Sequence, residues 1–393
     1  MKRLYIILLL IILSTSISYS SELNNKEPLS DNTIIMDQLN NIDMNDLEKV
    51  IDNMNNQTQD YFPKLDIKSM IGSLIKGEGN YSVKDLLNGV LKVIFKETVA
   101  NSTILIKLII LSIICTLLSN LSSAFESDTV SKLAYAVCYL VIIALSIKSF
   151  STAIAIGTEA IDEMVSFIQA LLPILITFLM SMGAITTAAI FQPIIFTSIG
   201  IISTLMKDMI MPMVFFSGIL AIVNNLSSKI QVSKLSSLLK QSAVVLMSFI
   251  LTIFSGVITI QGIAASTSDG VTLRTAKFAT ENFIPIVGGF ISEAFDTIIG
   301  CSLLLKNTIG IIGLITLFVI VIMPLLKILS LIIIYKITAA VIEPITDSKL
   351  TNCLNEISNA MVLVFASVTC VAIMFFVAVT IIVAAGNVTL MMR

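Results

Sequence analysis

From about Asn101 to the C-terminus, long apolar stretches alternate with short polar joints. The runs 104–121, 243–263, 309–326 and 360–385 are at least as long as a bilayer-spanning helix requires. A helix rises about 1.5 Å per residue, so about 20 apolar residues cross a hydrocarbon core of about 30 Å. Mean hydropathy is +0.98 and only 13% of residues are charged, which excludes a soluble globule. The fold class is all-α: a polytopic helical membrane protein.

The N-terminus is a separate object. Met1-Lys2-Arg3 is basic, 4–13 is an apolar core, and 14–21 is small and polar. That pattern predicts a secretory signal peptide over 1–21, and an uncleaved first anchor is the alternative. Either way, residues 22–98 are expected outside the cytoplasm. This segment is acidic, with 13 Asp/Glu and 8 Lys over 22–97. It also has helical periodicity. Leu47, Val50, Ile51 and Met54 recur at one face, as do Ile67, Met70, Ile71, Leu74 and Ile75, and Val83, Leu86, Leu87, Val90, Leu91 and Ile94. These amphipathic helices suit either an extracytoplasmic partner or the membrane and the rest of the chain. An acidic surface poor in aromatics makes nucleic acid an unsuitable partner.

The multi-span region is 99–393. Hydropathy gives about nine spans, within a range of eight to ten: 102–123, 133–150, 165–189, 192–206, 209–225, 241–264, 300–323, 325–342 and 360–385. The stretch 279–299 is too polar to assign. With the N-terminus outside, this count puts the joint 224–241, with Lys229, Lys234 and Lys240, in the cytoplasm. It puts 343–359, with Glu343, Asp347 and Glu356, outside. An internal repeat also shows. Pro173 and Pro285 each precede a Met-Pro by 39 residues, at Pro212 and Pro324, and 233–238 resembles 348–353. A duplication would make units of 165–264 and 279–385, in the same or inverted orientation. Paired prolines break helices, and such breaks in lipid need cover from protein or a water-filled cavity.

Histidine is absent, so His metal sites, catalytic dyads with His and His proton relays are excluded. No phosphate-binding glycine loop is present. Four of the five cysteines, Cys115, Cys138, Cys301 and Cys370, fall in or beside apolar runs, Cys353 lies in a polar joint, and no pair has metal-ligand spacing. The expectation is therefore a non-enzyme without metal or cofactor. Two charged features remain. Lys207-Asp208 interrupts the apolar stretch 192–225, as an intramembrane pair or, on the preferred reading, as a short interfacial turn. The segment 266–289 is rich in hydroxyls and mixed charges, including Asp269, Arg274, Lys277 and Glu281, and ends with Pro285, Gly288 and Gly289. Asp269-Gly270 is a turn signal. The segment is a candidate pore-lining or partner-contacting element, with a solvated loop as the alternative.

The run Asp269-Gly270-Val271-Thr272-Leu273-Arg274-Thr275-Ala276-Lys277-Phe278, continuing through 282–289, resembles the signature of the stage III sporulation protein AE family. The order of signal peptide, exported segment and many spans is similar to that family along essentially the whole chain. The resemblance implies a mother-cell membrane protein around the engulfed forespore, working in a channel or feeding complex. It implies as partners other membrane and ring-forming subunits, a separate ATPase and a forespore membrane protein across the intermembrane space. It supplies no catalytic residues. A stand-alone secondary transporter and a membrane scaffold that only recruits partners are the alternatives.

Overall fold

The computed structural model describes residues 44–58, 64, 66, 70–72, 83–124, 129–226, 231–283, 287–346 and 348–391. The expected signal peptide, its cleavage site and Pro285 lie outside the described residues. Those described are almost entirely helical: α1 (Asn45–Thr58), α2 (Val83–Ala100), α3 (Ser102–Ala124), α4 (Thr129–Ser181), α5 (Ile185–Thr204), α6 (Met211–Leu226), α7 (Ser233–Phe283), α8 (Val287–Ile342) and α9 (Ser348–Met391).

Apolar sequence propagates helix wherever nothing terminates it, because every main-chain donor then has an internal acceptor. Hydroxyls inside these helices follow the same rule. Ser112 donates to the Leu108 carbonyl, Thr338 to Ile334 and Thr380 to Phe376. Five helical stretches are long and apolar enough to cross a membrane: Leu133–Ser181, Ile185–Asn225, Ser233–Gly262, Glu293–Ile342 and Ser348–Ala385. A sixth is the pair Gly89–Ala100 and Ser102–Leu118, bent by 45° at Asn101.

The count of nine spans is not what the fold shows. Spans 133–150 and 165–189 merge into α4, apart from a tight turn near 183 that starts α5. Spans 192–206 and 209–225 join through a π-helical turn at Leu205–Ile210, and 300–323 and 325–342 join within α8. The polar joints between them are helical turns, not loops. The 49-, 41- and 50-residue stretches are each roughly 60–75 Å long at ~1.5 Å per residue, about twice a hydrocarbon core.

Long helices run up and down side by side. Gly183, at φ 79°, reverses the chain between α4 and α5. Tyr139 on α4 donates to the Asn225 carbonyl at the end of α6 and also meets Cys353 near the start of α9. Ser236 at the start of α7 donates to the Ser217 carbonyl. The joints after α6 and after α8 therefore lie at one end of the bundle. This corrects the expectation that 224–241 and 343–359 face opposite sides. At the far end, Asp269 on α7 meets Thr186 and Thr187 on α5.

The matched repeat segments lie on helices that run the same way. Met247 on α7 meets Ser367 and Cys370 on α9 in parallel register, and α5–α6 and α8 both run toward the end with the joints. The inverted arrangement is thereby excluded, while the duplication itself is not established. The α8 helix is the most enclosed, α4 and α9 follow equally, and α7 is the most open. Gly157 and Gly218 let α9 close on α4 and α6: a Cβ at Gly157 would lie 2.9 Å from Val364 Cγ1 and 3.0 Å from the Met211 methyl.

The amphipathic helices expected in the N-terminal segment are partly described. The predicted face of α1 is buried at Leu47, Ile51 and Met54, and Met70 and Ile71 are buried too. In α2 the buried position is Val93, whereas Leu91 is exposed.

Two outcomes follow from this packing. Single cysteines at Ser233 and Ser348 should label with an impermeant thiol reagent from the same side of the membrane, and one at Ile185 from the other; opposite labelling of the first two would reject the hairpin order. Gly157→Leu should destabilise the purified protein by about 1–3 kcal/mol through overpacking, read as a fall in thermal midpoint in detergent.

Candidate functional site

Charge gathers near the middle of the long helices, along the seam between α4 and α8. Residues 145, 149, 152, 156, 159, 163 and 166 recur at helical spacing and share one face of α4. Two clefts follow that face. The upper one, of about 360 Å³, is lined by Glu97, Asn101, Lys107, Lys148, Ser149 and Lys327, among others. The lower one, of about 530 Å³, is lined by Glu159, Asp162, Glu163 and Ser166 of α4, Asn53, Asn56 and Thr58 of α1, and Ile320 and Met323 of α8. The seam is thus basic above and acidic below, and α1 borders the acidic part. Pro324 lacks an N–H, so the Ile320 carbonyl has no helical donor. That gap opens beside the lower cleft, as the paired-proline argument expects for a break that needs polar or protein cover.

Lys207 sits in the π-helical turn Leu205–Ile210, three residues before its end, and Met211-Pro212 follows directly. The Met211 N–H reaches back five residues to the Met206 carbonyl. In this wider turn Lys207 Nζ lies 2.5 Å from Asp162 Oδ1 on α4, across the helix–helix interface. The sequence reading paired Lys207 with Asp208 and preferred an interfacial turn. Both are corrected: the helix continues, the partner is Asp162, and Asp208 is exposed on another face. Adjacent residues in a helix point about 100° apart and do not face each other. No sequence argument singled out Asp162, because 151–164 reads as a connector between two spans.

Asp269 is almost fully buried, at 1% exposure. Its two carboxylate oxygens accept from the Thr186 N–H at 2.9 Å and the Thr187 N–H at 2.7 Å. These are N–H groups of the first turn of α5, which have no acceptor within their own helix. Ala184, the residue in the capping position, makes no side-chain cap. Asp269 supplies the cap from another helix, and its negative charge complements the positive end of the α5 dipole. Asp269-Gly270 is not a turn; α7 runs through it.

The remaining members of that segment are not brought into one site. Arg274 is exposed on α7. Lys277 and Glu281 lie in the same helix, and Gly288 and Gly289 fall in the first turn of α8. The described side chains of 266–289 do not form a cleft with the seam. Lys306 is a further charge that sequence reasoning missed. It is fully buried in α8, and its Nζ donates to the Val383 carbonyl of α9 at 2.7 Å. A single lysine inside the apolar run 300–323 was the signal for it. No group of three or more potential metal-binding side chains occurs among the described residues.

These features define a class: an all-helical chain with spans long enough to cross a membrane and a charged seam between them. A family model described as stage III sporulation protein AE matches residues 65–386. The stage III sporulation protein AE of Bacillus subtilis (strain 168) is 42% identical over 326 residues, covering 83% of this chain and 82% of that protein. No solved structure matches. The chain belongs to the stage III sporulation protein AE family.

The Asp269 cap is testable by two substitutions. Asp269→Ala leaves the buried Thr187 N–H and the half-buried Thr186 N–H without their acceptors and should cost roughly 1–3 kcal/mol for the buried one and less for the other; Asp269→Asn keeps one acceptor and should cost less. Equal thermal midpoints for wild type and both variants would reject the cap. For the ion pair, a double-mutant cycle on Asp162→Asn and Lys207→Gln should give a coupling of at most about 1 kcal/mol, since both ends are partly exposed, while the Asp208→Asn and Lys207→Gln cycle should give none.

Proposed function

We infer that this chain is a non-enzymatic membrane subunit of a multi-protein sporulation channel or secretion-like complex, acting in the mother-cell membrane around the forespore. Family membership supports a role in sporulation. The observation that carries the rest is the mismatch between helix length and bilayer thickness. Stretches of 49 and 50 residues are about twice the hydrocarbon core, yet both halves keep large apolar side chains on the outside. In the half nearer the joints these include Val137, Phe216, Leu238 and Ile337; in the other half, Met180, Ile201, Phe295 and Ile311. One bilayer covers one half. The other needs protein, because exposed apolar patches of this extent mark interaction surfaces.

Charge orients the two halves. Lys234, Lys240, Lys336 and Lys349 lie near the joints, and positive charge favours the cytoplasmic side. The far half, with Arg274 and Lys277 on α7, then stands outside the cytoplasm, where ring-forming subunits and a forespore membrane partner would meet it. No nucleotide-binding loop occurs in the sequence, so energy is supplied by a separate ATPase. The charged seam favours a second reading, a stand-alone transporter of a small solute, because charged groups between helices line many substrate paths.

The test uses sporulating cells carrying Phe295→Glu or Ile311→Glu, with Phe216→Glu as the contrast. The first two should leave the protein in the membrane fraction at normal abundance but abolish co-purification of partner proteins and lower spore yield. Phe216→Glu should lower abundance itself, since a charge on the lipid face costs insertion. Normal assembly and spore yield in the first two variants would overturn the subunit reading. Solute transport by the purified chain alone in vesicles would favour the transporter.

A further inference from the structure

The upper cleft gathers three lysines from three helices: Lys107 of α3, Lys148 of α4 and Lys327 of α8. Glu97, near the end of α2, is the one carboxylate lining it. Among the described residues none of the three ammonium groups has an ion pair or a hydrogen bond, unlike Lys207 with Asp162 and Lys306 with Val383. All three lysines are exposed at the cleft, where like charges repel one another and an arriving opposite charge relieves them. The acids of the lower cleft do not supply it: Asp162 is engaged by Lys207, and Glu159 and Glu163 line the other cleft. The basic cleft is thus built for an anion that this part of the chain does not provide.

Its surroundings narrow the anion. The cleft lies beside Asn101, where the chain bends by 45° between α2 and the apolar α3. There the amphipathic α2 meets the apolar α3. On the reading above, that one bilayer covers the half of each long helix nearer the joints, this is the edge of that bilayer, at the depth of lipid headgroups. Ile104, Leu145, Ile156 and Leu331 make an apolar flank next to the lysines. Lysine recognises phosphate as a compact point charge, and basic pockets between membrane helices hold anionic headgroups. We propose that Lys107, Lys148 and Lys327 form a binding site for a phosphate group, with the apolar flank selecting that of an anionic phospholipid over a free ion.

The probe is the full-length chain purified in detergent, mixed with phosphatidylglycerol or phosphatidylcholine and weighed intact by native mass spectrometry. The wild type should retain phosphatidylglycerol in preference to phosphatidylcholine. The triple variant Lys107→Gln, Lys148→Gln, Lys327→Gln should lose that retention by roughly tenfold or more, and Lys240→Gln, outside the cleft, should not. A triple arginine variant keeps the charge and should keep the lipid. Single glutamine variants, checked for a monodisperse gel-filtration peak, should show graded losses, so that misfolding of the triple variant does not decide the result. Titration with inorganic phosphate separates the two sources. Phosphate binding that the triple glutamine variant loses, without phosphatidylglycerol retention, supports the site with a soluble anion as its occupant. Equal retention of both lipids, or unchanged retention in the folded triple variant together with no phosphate binding, overturns the proposal.

Discussion

The constraint on which this structure depends is main-chain hydrogen bonding in an apolar setting. With little polar side chain available, each N–H must find its acceptor four residues back, or five in a π-helical turn. Helices then grow until something ends them. Here little does: Gly183 reverses the chain after α4, and α6 and α8 end at polar joints. The result is a set of helices that outrun one bilayer. Everything else follows from where such helices keep their few charges.

Those charges are handled between helices instead of along them. Asp269 of α7 closes the open first turn of α5, and Lys207 of the π-helical turn reaches Asp162 of α4. In both cases the partners are more than 40 residues apart in sequence. Such contacts fix register. A slide of α7 against α5 by one residue, about 1.5 Å, would pull the Asp269 carboxylate off at least one of its two N–H donors. Apolar ridges alone tolerate such slides better, because they carry no directional bonds.

The helical class was legible in the sequence because composition and run length settle it without any tertiary information. So was the apolar face of α1, since Leu47, Ile51 and Met54 lie at helical spacing and are buried. The number of spans was not legible. Hydropathy treats a charged or proline-bearing joint as an end, and at 151–164, Lys207-Asp208 and Met323-Pro324 the helix continues. What allows continuation at Lys207 is a partner on another helix, which no local window contains. Pro212 and Pro324 were read correctly as breaks in hydrogen bonding, but their effect is a π-helical turn and one freed carbonyl, not a chain reversal. Asp269 was singled out for a sound reason, a carboxylate between very apolar regions. Its assignment to a turn failed because the competing signal, a helix start at Ile185 lacking its own cap, lies more than 80 residues away.

The seam between α4 and α8 concentrates charge between long apolar helices. Its basic and acidic charges follow one face of α4, about three to four helical turns apart. Opposite charges at that spacing create a field along the helix axis instead of cancelling in pairs. The acidic part has the N-terminal helix α1 beside it, through Asn53, Asn56 and Thr58. Because α1 carries Asp46 and Asp52 on exposed positions as well as the buried Leu47 and Ile51, its apolar face must supply the attraction and these acids must point away from the acidic cleft. Docking of α1 is therefore an apolar contact made against an electrostatic cost, and an added carboxylate at Asn53 or Asn56 would weaken it without touching the helices that cross the membrane. The basic part is bordered by α2 through Glu97, one carboxylate beside three lysines.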